Sequence, residues 1–321
     1  MLISVALCTY NGETYLPDQL ESIRGQTRLP DEVILCDDGS QDRTLVILRD
    51  FERAAPFPVI VHQQAHNLGS TANFADAIQR CSGDIIVLAD QDDVWYPDKL
   101  ATIAAVFENE PDVGLVFSNA DVMDRNLQPL GYKLWQSVRF SRTQQAQMGQ
   151  GGALTVLLKH PVITGATMVF RKQYRSVFLP IPSIWIHDEW IGLHLALITR
   201  LYPIPRPLMC YRRHATNQVG AEGVRWRERW QAALQTNPSV YFRRAEQYRL
   251  LLHHLAHFPS ISSYARRQLN EKINHLHFRG TLPRQRLGRI LPIALHLPQY
   301  VRYTNSLLNA LRDLLLQHTE A

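Results

Sequence analysis

The chain has no apolar run long enough to span a bilayer, which takes about 20 consecutive residues. It opens on a strand-like segment, Leu2 to Cys8, without the basic, apolar and small-residue succession of a secretion signal. Cysteine is scarce. Cys8, Cys36, Cys81 and Cys210 sit in or beside apolar runs, and no spacing links them as metal ligands. They are expected to be small buried hydrophobes in a reducing compartment, so a cytoplasmic location is expected. No G-x-G-x-x-G turn follows a strand, which argues against a dinucleotide oxidoreductase, and the lack of a P-loop argues against an ATPase. No Ser/His or Cys/His pair stands out as a nucleophile unit.

What is present is an ordinary globular balance over 321 residues, 45% hydrophobic and 20% charged, enough for one large or two modest domains. The net charge of +5 is unevenly placed. Residues 1–220 carry 19 basic and 23 acidic side chains, whereas residues 221–321 carry 15 and 6. An acidic front and a basic tail point to two parts with different partners.

Up to about residue 109, strand and helix alternate four times. Apolar runs at 2–8, 32–36, 59–61 and 84–89 read as strands. Leu16, Leu20 and Ile23 mark one face of a helix, as do Leu45, Leu48 and Phe51, then Phe74, Ile78 and Cys81, then Leu100, Ile103 and Phe107. Short connections predict an α/β fold with a mostly parallel, doubly wound sheet, whose ligands bind at the carboxyl ends of the strands. Three polar clusters fall there: Thr9-Tyr10-Asn11-Gly12, Asp37-Asp38-Gly39-Ser40 and Asp90-Gln91-Asp92-Asp93. The last holds three acids in four positions. Ionised carboxylates that close repel one another and call for a cation. Mg²⁺ or Mn²⁺ takes oxygen ligands and leaves positions for phosphate oxygens. Alone, the cluster reads equally well as a solvated turn with helix-capping aspartates. With the other two, it suggests a nucleotide read by aspartates and neutralised by a metal.

Val113 to Phe117 reads as another strand, 119–135 as an irregular excursion, and 137–152, rich in Gln, Ser and Gly, as a mobile loop. Val162 to Phe170 is strand-like but interrupted at Thr164-Gly165-Ala166-Thr167, where Gly165 permits a close approach. Trp185-Ile186-His187-Asp188-Glu189-Trp190 leads into an apolar helix. Its aromatic faces suit sugar rings and its carboxylates suit hydroxyls, although an acid pair also stabilises a helix N-terminus. Arg212, Arg213 and His214 follow a short strand and suit phosphates.

These residues together resemble glycosyltransferase family 2, inverting enzymes of the GT-A fold, over about 1–220. The resemblance rests on Thr9–Gly12, Asp37–Ser40, Asn67-Leu68-Gly69, the D-x-D motif Asp90-Gln91-Asp92 and the later Asp188. The stretches Asp90–Trp95, Thr164–Met168, His187–Trp190 and Tyr211–His214 are most similar to bacterial rhamnosyltransferases, which build cell-surface polysaccharide from dTDP-rhamnose. The resemblance implies a catalytic domain over 1–220, with a nucleotide-binding half at 1–118 and an acceptor-binding half at 119–220. It implies that Thr9, Tyr10 and Asn11 line base and ribose and that Asp38 reads a pyrimidine. Asn67, Gly69 and Gln91 join them. Asp90 would sit near ribose and metal, Asp92 would ligate the divalent cation, and His214 would contact metal or phosphate. Asp188 would be the catalytic base. Thr164, Gly165, Trp185, His187, Glu189, Trp190 and Arg212 would face the sugar or acceptor. The implied partners are a nucleotide sugar, dTDP-rhamnose or a UDP-sugar, and a glycan or polyprenyl-linked acceptor. The alternatives are a transferase using UDP-hexose, a nucleotide-sugar binder without catalysis, and a nucleotidyltransferase. A pure binder needs no base at Asp188, and a nucleotidyltransferase normally carries a glycine-rich basic loop after the first strand.

Residues 221–321 lie outside the resemblance and read as helices around 225–235, 239–257 and 262–278. Trp226, Trp230, Tyr241, Phe242, Tyr248 and Phe258 are interleaved with arginines, and Leu307, Leu308, Leu311, Leu314 and Leu315 form a stripe near the end. Two expectations remain open: a basic helical cap on the catalytic domain, or a surface for anionic lipid at the inner face of the cytoplasmic membrane. No nucleic-acid-binding motif accompanies the charge, so nucleic acid is not an expected partner.

Overall fold

The computed structural model describes residues 1–214, 237–258 and 261–316. The helix expected around 225–235, with Trp226 and Trp230, lies outside the described residues. The chain divides into two compact units. One holds residues 1–153 and 162–216, the other 154–161 and 217–321.

The first unit is built on a nine-stranded mixed sheet. Strands β1 (Ile3–Thr9), β2 (Glu32–Asp37), β3 (Val59–Gln63) and β4 (Ile85–Ala89) are all parallel, in the order β3-β2-β1-β4. Helices α1 (Leu16–Arg24), α2 (Thr44–Ala54) and α3 (Ser70–Arg80) connect them. β1 and β4 are buried along their whole length, which is why they read as unbroken apolar runs. The helices bury the faces that their periodicity marked, through Leu16, Leu20 and Ile23 in α1 and Phe74 and Ile78 in α3. After β4 come the two-residue strand β5 (Val94–Trp95), helix α4 (Lys99–Asn109) and the long strand β6 (Val113–Met123). Strands β7 (Pro129–Lys133), β8 (Met168–Arg171) and β9 (Arg200–Arg212) complete the sheet, in the order β4-β8-β6-β9-β5, with β7 paired only to β6. Helix α5 (His187–Ile198) precedes β9.

Three segments differ from the sequence-based expectation. Residues 119–135 are not irregular: β6 runs on to Met123 and turns back as β7. Residues 137–152 are helical rather than a loop, with helices at Arg142–Gln147 and Met148–Gly152. A capping box between Ser141 and Gln144 starts this segment and fully buried Met148 anchors it, so local capping outweighs the Gln- and Gly-rich composition. The strand expected over 162–170 is confined to Met168–Arg171, because Gly165–Thr167 forms a 3₁₀ turn. All four cysteines are free, and burial pushes the Cys8 thiol well up.

The second unit is helical: α6 (Ser239–His254), α7 (Ser263–Gly280), α8 (Arg286–Leu295), α9 (Leu297–Tyr303) and α10 (Leu308–Leu315). Residues 154–161 belong here, and Gln268 Nε2 donates to Thr155 Oγ1 at 3.2 Å. One buried carboxylate ties four of these helices. Asp313 of α10 accepts from Arg279 of α7 at 2.6 and 3.0 Å, from the Tyr241 hydroxyl of α6 at 2.8 Å and from the Tyr300 hydroxyl of α9 at 2.7 Å. Among the described residues, no helix is long and apolar enough to cross a membrane.

Burial works to raise the pKa of Asp313, but the hydrogen bond and charge of Arg279, with Arg312 and Tyr300, hold it below the ordinary 3.8. Its contribution to stability is therefore present above that value and is lost as the pH falls through the lower native one. Asp313→Ala leaves Arg279 buried without its partner and should cost about 3–5 kcal/mol in urea unfolding near neutral pH. The gap from wild type should narrow in acid. A loss under 1 kcal/mol would show that this carboxylate does not hold the helices together.

Candidate active site

Parallel pairing brings the three polar clusters to one edge of the sheet. Thr9 lies level with Asp37, and Leu7 with Ala89. Short polar contacts then knit the loops. The Asp38 backbone N–H donates to the Thr9 carbonyl at 2.8 Å, and the Thr9 hydroxyl donates to Asp37 at 2.9 Å. Asn11, at φ 47°, accepts from the Gln41 N–H and donates its own N–H to Ser40 Oγ, both at 2.9 Å. Gln91 and Tyr10 are joined twice. The Tyr10 N–H donates to Gln91 Oε1 at 2.9 Å, and Gln91 Nε2 donates to the Tyr10 carbonyl at 3.1 Å. Gly12 lies close beside them: a Cβ there would stand 2.2 Å from Gln91 Oε1, so the Gln91 amide would have to shift. Asp38 is buried and accepts from the Leu68 and Gly69 N–H groups at 2.7 and 2.9 Å, so it holds the Asn67–Gly69 loop. Gly69 itself takes φ 83°, a left-handed value that favours glycine. The Tyr10 side chain remains exposed.

The acid loop runs between β4 and β5. Because β5 pairs with the end of β9, the segment Arg212–His214 is brought over it. Arg212 is buried. Its N–H donates to Asp93 Oδ1 at 3.0 Å, its guanidinium to the Asp92 carbonyl at 2.8 Å, to the Arg125 carbonyl at 2.9 Å and to Asp18 at 2.7 Å. His214 Nε2 meets Asp92 Oδ2 at 2.7 Å, and its ring packs 4.7 Å from Tyr15. Beneath the loop lies Lys99, fully buried, with Nζ bonded to the Ala166 carbonyl at 3.1 Å and placed 4.0 Å over the Trp95 ring. Burial, then the charges of Asp92 and Asp188, push Asp90 up to about 7, while Lys99 pulls it back. Burial, Asp92 and Asp90 also push Asp93 well up, and one of its oxygens has no hydrogen-bond partner among the described residues.

The Gly165–Thr167 turn joins α5 to the same site, since its Ala166 carbonyl accepts from Lys99 and its Gly165 N–H donates to Asp188. Asp188 accepts from the Gly165 N–H at 3.1 Å and from the Glu189 N–H at 2.6 Å, and burial raises its pKa. Gly165 is pressed against His187: an added Cβ would lie 2.7 Å from Nε2. His187 is buried and stacked 4.2 Å from Phe74, neither ring nitrogen has a hydrogen-bond partner among the described residues, and burial lowers its pKa, which favours the uncharged imidazole. Thr164 and Glu189 are half-buried beside these groups. Trp185 and Trp190 are core residues, 1% and 0% exposed, and the Trp190 indole donates to the Phe178 carbonyl at 2.8 Å. Neither ring presents a face to a ligand.

The donor set suits a hard divalent cation. Asp92 and His214 stand side by side, and the crowded Asp90 is short of positive charge. Among the described residues, no three His, Cys, Asp or Glu side chains form a ready-made metal cage. Reading the sequence missed Lys99, Tyr15 and Asp18, and it counted Asp93 among the clustered acids without giving it a role of its own. Lys99 left one signal. It opens helix α4, where the helix dipole disfavours a cation, so something else had to hold it there.

The sequence pattern described as Glycosyl transferase family 2 matches residues 4–177. A dTDP-rhamnosyl transferase, RfbG of Shigella flexneri, is 31% identical over 228 residues, which cover 67% of this chain and 74% of that protein. The solved structure of Staphylococcus aureus TarS 1–349 with UDP-GlcNAc aligns at 17% identity with a TM-score of 0.58, over 87% of this chain and 73% of that one. A mannosyltransferase from Pyrobaculum calidifontis, solved with GDP-Man and Mn²⁺, aligns at 17% identity with a TM-score of 0.55, over 96% and 77%. The alignments span 59–74% of the length of the first relatives matched.

Lys99→Met keeps the length of the side chain and removes the charge that offsets Asp90 and Asp93. A raised carboxyl favours the fold while it is protonated, and that benefit is lost as the pH rises through its native value. Lys99 itself stands at about 7, so lysine and carboxyls are charged together only around neutral pH. Removing Lys99 should cost about 3–5 kcal/mol in urea unfolding there. The cost should be less both in mild acid, where the carboxyls are protonated, and in mild alkali, where the lysine is neutral. A loss that does not vary with pH would mean that the lysine acts through packing alone.

Proposed function

We infer that this chain, which belongs to glycosyl transferase family 2, moves a sugar with inversion from a nucleotide donor to a hydroxyl of an acceptor, with Asp188 as general base. The observation that carries the reading is the Gly165–Thr167 turn, whose Gly165 N–H donates to Asp188 while its Ala166 carbonyl accepts from Lys99 beneath the acid loop. A carboxylate from the second half of the catalytic unit shares one site with the acid loop of the first, which a nucleotide binder has no need for. Residues 1–220 form the catalytic region in this reading, with 1–118 receiving the nucleotide and 119–220 the acceptor.

Exposed Tyr10 offers its ring to the base, with Asn11 and Gln91 at the ribose. Asp38 is set to accept from a pyrimidine while it holds the loop at Asn67 and Gly69. Asp92 and His214, with Asp90 beside them, would hold a divalent cation, Mg²⁺ or Mn²⁺, whose charge offsets that of the leaving diphosphate. Arg212 keeps the acid loop and the β9 terminus together. Asp188 is fixed by two backbone N–H groups, and burial moves its pKa toward the working range, as a general base requires. It takes the proton of the acceptor hydroxyl as that oxygen bonds to the anomeric carbon and the bond to the diphosphate oxygen breaks on the opposite face. One displacement inverts the centre. Neutral His187, against Gly165, positions Asp188, and Thr164 and Glu189 line the acceptor side.

The donor we put first is dTDP-rhamnose, supported by the identity to the Shigella protein named for that donor. A UDP-hexose is the alternative. The acceptor is a glycan or polyprenyl-linked saccharide of a cell-surface polysaccharide, reached from the cytoplasmic side of the membrane.

Asp188→Asn keeps the shape but cannot take a proton at neutral pH, so transfer should fall roughly 10²–10⁴-fold. Donor affinity should barely change, and Glu189→Gln should lose less. Near-normal turnover in Asp188→Asn, with loss in Glu189→Gln, would exchange the two roles. Asp92→Ala should abolish the dependence of nucleoside-diphosphate affinity on Mn²⁺ or Mg²⁺ in calorimetry. Unchanged affinity in the presence of metal would exclude Asp92 as a ligand. A thermal-shift panel of dTDP, UDP and GDP sugars identifies the donor, and no stabilisation by dTDP-rhamnose would remove the first choice.

A further inference from the structure

The three last helices of the helical unit are amphipathic, but each turns apolar side chains to solvent. In α8, Leu287, Ile290, Leu291 and Leu295 recur at intervals of three, one and four, which places them on one helix face. They are 83%, 52%, 67% and 69% exposed. The other face of α8 is buried through Arg289 and Ile293. In α9, Leu297 and Val301 point outward four residues apart, while Tyr300 and Tyr303 are buried. In α10, Leu308 and Leu311, with Leu307 before them, are exposed, while Ala310 and Asp313 are buried. Nine large apolar side chains on consecutive helices are far more than the scattered exposure normal for a protein surface in water.

We propose that this apolar face of α8, α9 and α10 docks on an anionic lipid surface. The inference gives a location to the membrane-side placement proposed above and does not depend on the donor or the acceptor. Helix length decides between crossing and lying flat. The three helices have 10, 7 and 8 residues, and a span takes about 20. A short amphipathic helix instead lies in the plane of the interface, with its apolar side chains among the acyl chains. Charge decides the kind of surface. Residues 279–316 hold six arginines and a single acid, Asp313. Asp313, Arg279 and Arg289 are buried, and Asp313 is bonded to Arg279, so the exposed charge there is basic. Arg284 and Arg286, at the start of α8, are exposed. A second copy of the chain would bring like charges together, whereas anionic headgroups would neutralise them.

The test is flotation of the full chain with vesicles. Wild type should float with vesicles of phosphatidylcholine and phosphatidylglycerol, and much less with phosphatidylcholine alone. Binding should weaken as salt is raised, since screening is strong beyond about 10 Å at 0.1 M. The combined change Leu287→Ser, Leu291→Ser and Leu295→Ser removes side chains that are 83%, 67% and 69% exposed, so folding should be kept. It should lower binding by at least about tenfold, given what each buried apolar side chain contributes. Arg284→Ser with Arg286→Ser should instead remove the preference for anionic lipid. Transfer to a soluble acceptor, which uses none of these residues, should be unchanged in both variants, so a failed vesicle result leaves the catalytic reading standing. Equal flotation of wild type and the triple-serine variant would overturn the proposal. So would a wild type that stays unbound, or one that light scattering shows as a dimer, converted to monomer by the serines, without vesicle binding.

Discussion

A buried lysine holds the site's geometry together. Strand β4 ends in three acids, and buried carboxylates at that spacing repel one another. Lys99 enters from below, on the first turn of the next helix, with its ammonium on a carbonyl and over an indole ring. Burial presses its own pKa down and Asp93 and Asp90 push it back up, which leaves it at about 7. The lysine and the acids thus each favour the other's charged form against the cost of burial. The compensation is partial, since Asp90 still stands near 7. A site built in this way has a standing demand for one more positive charge on its open side, where Asp92 and His214 lie.

Arg212 transmits this arrangement to the rest of the sheet. Strand β9 pairs with β5 just beyond the acid loop, and Arg212 at its end bonds to Asp93, to the Asp92 backbone and, through Asp18, to helix α1. The acid loop is thereby fixed by elements far apart in sequence. The helical unit follows the same economy within itself. One buried carboxylate, Asp313, collects an arginine and two tyrosine hydroxyls from three helices. Satisfied polar networks of this kind specify one packing among many that an apolar core alone would allow.

The parallel half of the sheet was legible because each of its elements has a period of its own. Fully buried strands read as apolar runs, and helices α1 to α4 repeat at three and four residues. The strand ends then had to fall on one edge, and Thr9–Gly12, Asp37–Ser40 and Asp90–Asp93 fell there together. The helices at 142–152 escaped because Gln and Gly carry no apolar period, and only a cap and a buried Met148 hold them. The Trp185 and Trp190 rings misled because an aromatic residue beside carboxylates has the same local pattern whether it faces a sugar or the core.

Sequence by itself determined the fold class, the edge on which chemistry is placed and the family, since these depend on local periodicity and on motifs within a few residues of one another. Tertiary structure alone decided which charges meet. Lys99 beneath the acids, Arg212 across them, Asp188 facing Asp90 and nine apolar side chains left in water are all relations between positions far apart in the chain. Electrostatic and desolvation energies depend on distance and burial in space, and no local pattern encodes either.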